Sequence, residues 1–300
     1  MKLILVVAFI ILCSTACHAV LNGLPATQGQ FPYLVYVVVD PGTPYTYACG
    51  GGIISSRYVI SAGHCSFGGF FKVIVGRIDV DGFKQEDIID VEAVIRPSDY
   101  GKDNIFNYDD VAVFTLKKDV FEKPNYIQYL DIGLNSPPVG APLTLAGFGR
   151  LKDDKDTSLS HYNTVQVSSD SECVFKTYSN ETSYCINDPK SGFCNGDSGS
   201  PLVVRNPVSD RWILVGLSSY GHAGVCGYRK PDAVISKIAV MIDFIKIHTY
   251  DSPPRFVEVQ YSTETETTLI PLNGPASNCP SFFKSTVTII MLLLVFIIQV

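Results

Sequence analysis

Three hundred residues with 46% hydrophobic content suffice for one large or two small domains with a buried core, which excludes a disordered chain. The formal net charge is −6 at pH 7, and no Lys/Arg run accompanies it, so nothing points to nucleic acid. Electrostatics alone name no partner.

The chain opens with Met1-Lys2, an apolar run from residue 3 to 12, and then Cys13-Ser14-Thr15-Ala16-Cys17-His18-Ala19. A charged start, an apolar middle and a small-residue end are the three parts of a secretory signal. An oxidising compartment follows, so the cysteines are read as disulfide candidates. Nine are present, with Cys13 and Cys17 inside the signal; spacing alone does not fix how the rest pair. From Phe31 onward, short β-type runs alternate with Gly, Pro, Asn and Asp: 33–39, 52–54, 58–61, 71–76, 91–95, 111–116 and 142–147, then 164–167, 201–204 and 213–218 after a polar middle. Many evenly spaced strands without helices between them argue for barrels or sandwiches. One segment, 236–245, has helical period, with Ile238, Met241, Ile242 and Ile245 on one face.

The composition then changes. Residues 251–278 are rich in Ser, Thr, Glu and Pro and read as an extended linker. Residues 287–300 are almost wholly apolar, yet shorter than the roughly 20 residues a helical span needs, and no positive tail follows. Ala276-Ser277-Asn278, a polar spacer and a greasy end match a GPI-attachment signal. A single-pass anchor that counts Phe282 and Phe283 into the span is the second reading.

The stretch 192–201 reads Gly-Phe-Cys-Asn-Gly-Asp-Ser-Gly-Ser-Pro. It sets Ser198 among small residues, leaving room for a carbonyl to approach its Oγ and for backbone N–H groups to face a developing oxyanion. Alone, such a match is ordinary turn chemistry. Two other blocks change its meaning. Ser61-Ala62-Gly63-His64-Cys65 ends one apolar run, and Asp109-Asp110 heads another, Val111-Ala112-Val113-Phe114. The three blocks, in the order His, Asp, Ser, resemble the catalytic blocks of the chymotrypsin-like (trypsin-fold, S1-type) serine endopeptidases over residues 20–249. Subtilisins and α/β-hydrolases order the same chemistry differently.

That resemblance implies an all-β fold of two Greek-key six-stranded β-barrels with a C-terminal helix, the first barrel supplying His64 and Asp110 and the second Ser198. His64 is then the general base and Asp110 holds its tautomer. Asp110 is preferred to Asp109 because it directly precedes the apolar strand. The oxyanion hole would be the N–H groups of Gly196 and Ser198. Val20 resembles the family's mature N-terminus, whose ammonium pairs with Asp197. No Lys or Arg stands immediately before Val20, so cleavage after Ala19, or after Ala16 with later trimming, both stand. The implied disulfides are Cys49–Cys65, Cys173–Cys185 and Cys194–Cys226; Leu143 stands where a further Cys is expected, and Cys279 is left without a partner.

The substrate pocket implied by resemblance has Gly192 at its base and Ser219, Tyr220 and Gly221 on one wall. Asp232, after Pro231, enters from the other. Because a buried carboxylate is costly without a cation, a mixed or basic P1 preference is expected; a solvent-facing Asp232 would leave an apolar one. Asn180-Glu181-Thr182 is a glycosylation sequon. No cofactor is expected, and no Cys/His cluster has metal-ligand spacing. The division is signal peptide 1–19, protease domain 20–249, Ser/Thr/Pro-rich linker 250–279 and apolar tail 280–300. The expectation is a secreted, surface-tethered endopeptidase forming an acyl-enzyme on Ser198, with protein or peptide substrates and protease inhibitors as partners. A catalytically silent homologue that binds through the same cleft is the competing class. An esterase is disfavoured, since those carry Gly-x-Ser-x-Gly on a strand-to-helix turn with His after Ser.

Overall fold

The computed structural model describes residues 23–40, 47–98, 100, 109–150, 157–173, 175, 178–187, 193–221 and 232–261. After a short β1 (Leu24–Pro25), six strands close a barrel: β2 (Leu34–Asp40), β3 (Tyr47–Ile53), β4 (Tyr58–Ser61), β5 (Phe70–Val75), β6 (Ile88–Ile95) and β7 (Ala112–Leu116). Their order is β2-β3-β4-β7-β6-β5. Alternation builds β2, where Val35, Val37 and Val39 are fully buried, and Val73 of β5 and the consecutive Val113 and Phe114 of β7 are fully buried as well.

The second sheet has nine strands. They are β1 with β8 (Asp131–Gly133), β9 (Pro142–Gly147), β10 (His161–Gln166), β11 (Ser183–Asn187), β12 (Pro201–Arg205), β13 (Trp212–Gly221), β14 (Asp232–Lys237) and β15 (Phe256–Val257). The path runs β1-β10-β9-β12-β13-β14-β11, with β8 beside β13 and β15 beside β8. The mostly-β fold expected from sequence is the one observed, although this half carries nine strands where six were expected, because β1 and β15, from the two ends of the domain, and the short β8 join it. Leu143 is fully buried in its core. Phe31 and Tyr33 from the first half pack on Trp212 from the second, with ring centroids 5.5 and 5.8 Å apart, and Tyr162 lies 5.0 Å from Phe31. This aromatic cluster joins the two sheets into one core.

Two expectations need correction. The helical segment begins later than 236: Ser236 and Lys237 end β14, where Ser236 pairs with Leu217 and Ser183, and the α-helix, α1, is Ile242–His248 after a 3-10 turn at Ala239–Met241. The β-branched run Val234-Ile235 is claimed by pairing on both sides, while Ile238, Met241 and Ile245 still bury as the period requires.

The linker also begins later than residue 250. Residues 250–261 lie against the body as a strap, because Val257, Val259 and Tyr261 alternate with Glu258 and Gln260, and Pro253-Pro254 bars a helix. Near its start, Tyr58 donates to Asp251 at 2.5 Å, and Ser252 Oγ lies 3.2 Å from both Ser55 Oγ and Ser56 Oγ, all on the first barrel. Further on, β15 runs parallel to β8 of the second sheet. Asn135 brackets Val259, accepting from its N–H at 2.8 Å and donating to its carbonyl at 3.0 Å. The fully buried carboxylate of Asp131 accepts from Arg211 Nε at 3.1 Å and from Arg255 through Nε at 3.0 Å and Nη2. No helix among the described residues is long and apolar enough to cross a membrane.

Candidate active site

β4 ends at Ser61, and an extended Ala62 leads into the 3-10 turn Gly63–Ser66 that carries His64. The bridge Cys49–Cys65 fastens this turn to β3. Gly63 is tightly enclosed: a Cβ there would lie 3.0 Å from the Tyr100 ring and 3.1 Å from Asp110 Oδ1, so these neighbours would have to give way. Asp109 takes a left-handed φ of 54° just before β7, and Asp110 beside it is buried.

Asp110 is the hub. Its Oδ1 accepts from the His64 backbone N–H at 2.7 Å, and its Oδ2 from His64 Nδ1 at 2.8 Å and from Ser219 Oγ at 2.5 Å. A carboxylate on Nδ1 keeps the hydrogen there and leaves Nε2 as the acceptor. Burial by itself lowers the imidazole pKa, but the hydrogen bond and charge of Asp110 outweigh it and hold His64 above its ordinary value.

Ser198 sits on a turn between Gly196, at φ 98°, and Gly199, at φ 75°. Only glycine fits at 199: a Cβ would lie 2.1 Å from Ser61 Oγ, 2.7 Å from the Gly50 carbonyl and 2.8 Å from the Ala62 nitrogen. Gly50 N–H donates to the Ser198 carbonyl at 2.8 Å, Gly199 N–H to Ser218 at 2.8 Å, and the Ser218 hydroxyl to the Asp197 carbonyl. The serine turn is thus stitched to β3, to the end of β4 and to β13, which brings it beside the turn of His64. No hydrogen bond joins Ser198 Oγ to His64 among the described residues; such bonds are often long without substrate. The N–H groups of Gly196 and Ser198 have no acceptor among the described residues.

Asp197 points the other way and is fully buried. It accepts from Gly149 N–H at 2.8 Å and Cys194 N–H at 3.0 Å. Cβ atoms at Gly147 and Gly149 would approach its carboxylate to 2.3 and 2.2 Å, so both glycines are required by contact. Burial pushes its pKa up to about 7 despite these two donors. No cation faces it among the described residues, and Val20 lies outside them.

The remaining sites divide. Ser219 reaches Asp110, a contact across 109 positions that no sequence pattern announces. The Tyr220 ring meets Phe175 edge-on at 5.3 Å, and Gly221 ends β13. Gly192 lies outside the described residues, and Asp232 is described only as the backbone start of β14, paired with Asn187. Cys173–Cys185 is bridged; Cys194 is disulfide-bonded, while Cys226 and Cys279 lie outside the described residues. Asn180 is exposed, its amide donating to Asp170 at 3.0 Å. The sulfurs of Cys49 and Cys65 and a His64 nitrogen lie within 4.8 Å of one another, but sulfurs in a disulfide offer no thiolate to a metal.

Two β-sheets meeting at a histidine–carboxylate pair and a glycine-flanked serine place the protein among the serine hydrolases built on paired β-barrels. Residues 20–245 match the family model for Trypsin, and the chain belongs to that family. It is a serine-type endopeptidase whose substrates are proteins or peptides. It is similar to Cathepsin G of Mus musculus, 27% identical over 85% of this chain and 94% of that one. Serine protease SP24D of Anopheles gambiae is 30% identical over 71% of this chain and 75% of that one. Chymotrypsin-2 of Vespa crabro is 28% identical over 76% of this chain and 98% of that one.

Proposed function

We propose that the protein hydrolyses peptide bonds through Ser198 as nucleophile, His64 as general base and Asp110 as the group that fixes and charges the imidazole. The observation that carries this reading is the buried Asp110 carboxylate accepting from both the backbone and ring nitrogens of His64, beside a serine turn whose N–H groups at 196 and 198 lack acceptors among the described residues. Ser198 Oγ adds to the scissile carbonyl as its proton passes to His64 Nε2. The oxyanion takes the two N–H groups, each worth about 3 kcal/mol to the transition state. Collapse expels the amine, which receives the proton from His64, and water then repeats the sequence to release the acid.

In this reading, a free Val20 ammonium pairs with Asp197 and so holds the oxyanion turn in shape, since among the described residues the buried carboxylate has two N–H partners and no cation. Residues 1–19 direct secretion, the C-terminal tail supplies a GPI or membrane tether, Asn180 carries glycan, and Asp232 with Gly192 gives a mixed or basic P1 preference.

A fluorophosphonate probe tests the mechanism on the full chain secreted from cells, with N-terminal sequencing of the product. Labelling of wild type beginning at Val20, and none in Ser198→Ala, is expected. Chain that begins upstream of Val20 should label at least tenfold more slowly, a loss of about 1.4 kcal/mol or more. Correctly processed chain that stays unlabelled would establish the silent homologue instead.

A further inference from the structure

The described arginines of this acidic chain pair with carboxylates almost throughout: Arg57 with Glu92, Arg77 with Asp87, Arg205 with Asp210, Arg211 with Glu122 and Asp131, and Arg255 with Asp131. Arg96 is different. Its guanidinium lies over the Phe67 ring, 4.4 Å from the centroid, with the Tyr100 ring at 5.6 Å, and no carboxylate pairs with it among the described residues.

The position of those two rings gives Arg96 its interest. Phe67 follows directly on the turn that carries His64, and its carbonyl is held by the Tyr47 hydroxyl from β3. Tyr100 packs over Gly63 on the side of Asp110. Phe67, Arg96 and Tyr100, with Val94 and Pro97, line an open groove of about 520 Å³, so the groove adjoins the catalytic histidine and shares walls with its support. A guanidinium stacked on aromatic faces keeps its in-plane N–H donors at the edge, in the fork geometry that fits a carboxylate. The apolar faces of Phe67, Val94 and Pro97 suit the methylenes of the same side chain, while the groove stays open to solvent.

We propose that this groove is a secondary subsite for an acidic side chain, Glu or Asp flanked by apolar residues, in a polypeptide substrate bound across the neighbouring cleft. A polypeptide is the occupant because Phe67, which follows directly on the turn of His64, walls the groove in an endopeptidase, and a carboxylate is the recognised group because Arg96 is the charge that the groove presents among the described residues. The assignment rests on the endopeptidase reading for what occupies it, and its consequence is selection of substrate by a residue away from P1.

Two measurements separate the groove from the chemistry. In the first, fluorescent peptides with a Glu pair walked stepwise to either side of a fixed residue, and twins with Gln in place of Glu, are bound to the full-length Ser198→Ala chain and read by anisotropy. One register of the Glu pair is expected to bind about tenfold more tightly than its Gln twin, to lose that gain in Arg96→Ala, and to lose most of it at high salt. No register preferring Glu, or a preference that survives Arg96→Ala, would overturn the subsite. In the second, turnover of a short ester substrate by Arg96→Ala with Ser198 intact is expected to match wild type; a loss there would place Arg96 in the catalytic machinery and equally overturn the proposal. Absence of any Ser198-dependent turnover in wild type would sink the endopeptidase mechanism, while the peptide anisotropy would still report on the groove.

Discussion

Asp110 accepts three hydrogen bonds while almost wholly out of water, and the consequence is felt on its neighbour, His64. A general base works in its neutral form, so activity should rise with pH through the raised imidazole pKa and fall on the acid side. Asp110→Asn removes the charge that raises His64 and leaves the burial that lowers it. The acid limb of the kcat/KM profile is expected to move to lower pH while kcat drops by about 10⁴, as this triad chemistry requires; a limb that stays put would exclude Asp110 from the pair. Stability follows the same protons. His64 and Asp197 both hold a proton more tightly folded than unfolded, so each stabilises most at low pH and loses its contribution as pH rises, Asp197 up to about 7. At neutral pH the buried Asp197 therefore favours any rearrangement that brings it a cation. Which of two adjacent aspartates meets His64 was legible in the sequence from the apolar strand that follows Asp110; the hydroxyl of Ser219 on the same carboxylate was not, because no local pattern encodes a contact between distant strands.

Among the elements, the C-terminal strap has the clearest mechanical role. It touches β4 and its preceding turn through Asp251 and Ser252, then lies on β8 of the other sheet, so it spans the two halves that hold His64 and Ser198. Its arginine clamp should be graded. Arg211 also donates to the Tyr129 carbonyl and to Glu122, whereas Arg255 is the more exposed partner of Asp131. Urea unfolding is expected to show Arg255→Ala costing about 1–2 kcal/mol and Arg211→Ala about 3, since the latter leaves the buried carboxylate with a partner open to solvent. Equal or negligible losses would mean that the strap adheres by its strand and its apolar side chains alone. Long alternating strands such as β2 and β9 were legible in the sequence; β8, β11 and β15 are short and lie among Pro, Ser and Asn, where pairing rather than propensity makes the strand. The same competition moved the start of the helix, because β14 needed Ser236 and Lys237 for its ladder.

At the scale of the whole molecule, an aromatic cluster of Phe31, Tyr33, Tyr162 and Trp212 and the strap hold one half upon the other. Substrate choice belongs here, since the implied pocket draws on segments from 192 to 232. A panel of peptides varied at P1 is expected to be cleaved best after Arg or Lys, with kcat/KM for those substrates falling about tenfold or more in Asp232→Asn and changing little for Phe or Leu. Cleavage confined to Phe, Tyr or Leu and indifferent to that substitution would leave Gly192 as the determinant and an open apolar slot as the pocket.

The sequence by itself determined the family, the β class and the order of His64, Asp110 and Ser198, because these rest on local chemistry: alternation along a strand, small residues around a nucleophile, a carboxylate at a strand head. Only the tertiary structure decided that Ser219 joins Asp110, that residues 250–261 bind the body instead of trailing from it, and that Arg96 lies over two aromatic rings beside the site. Each of these is a contact between segments far apart in the chain, set by how two sheets twist and close, and no single stretch of sequence carries that information.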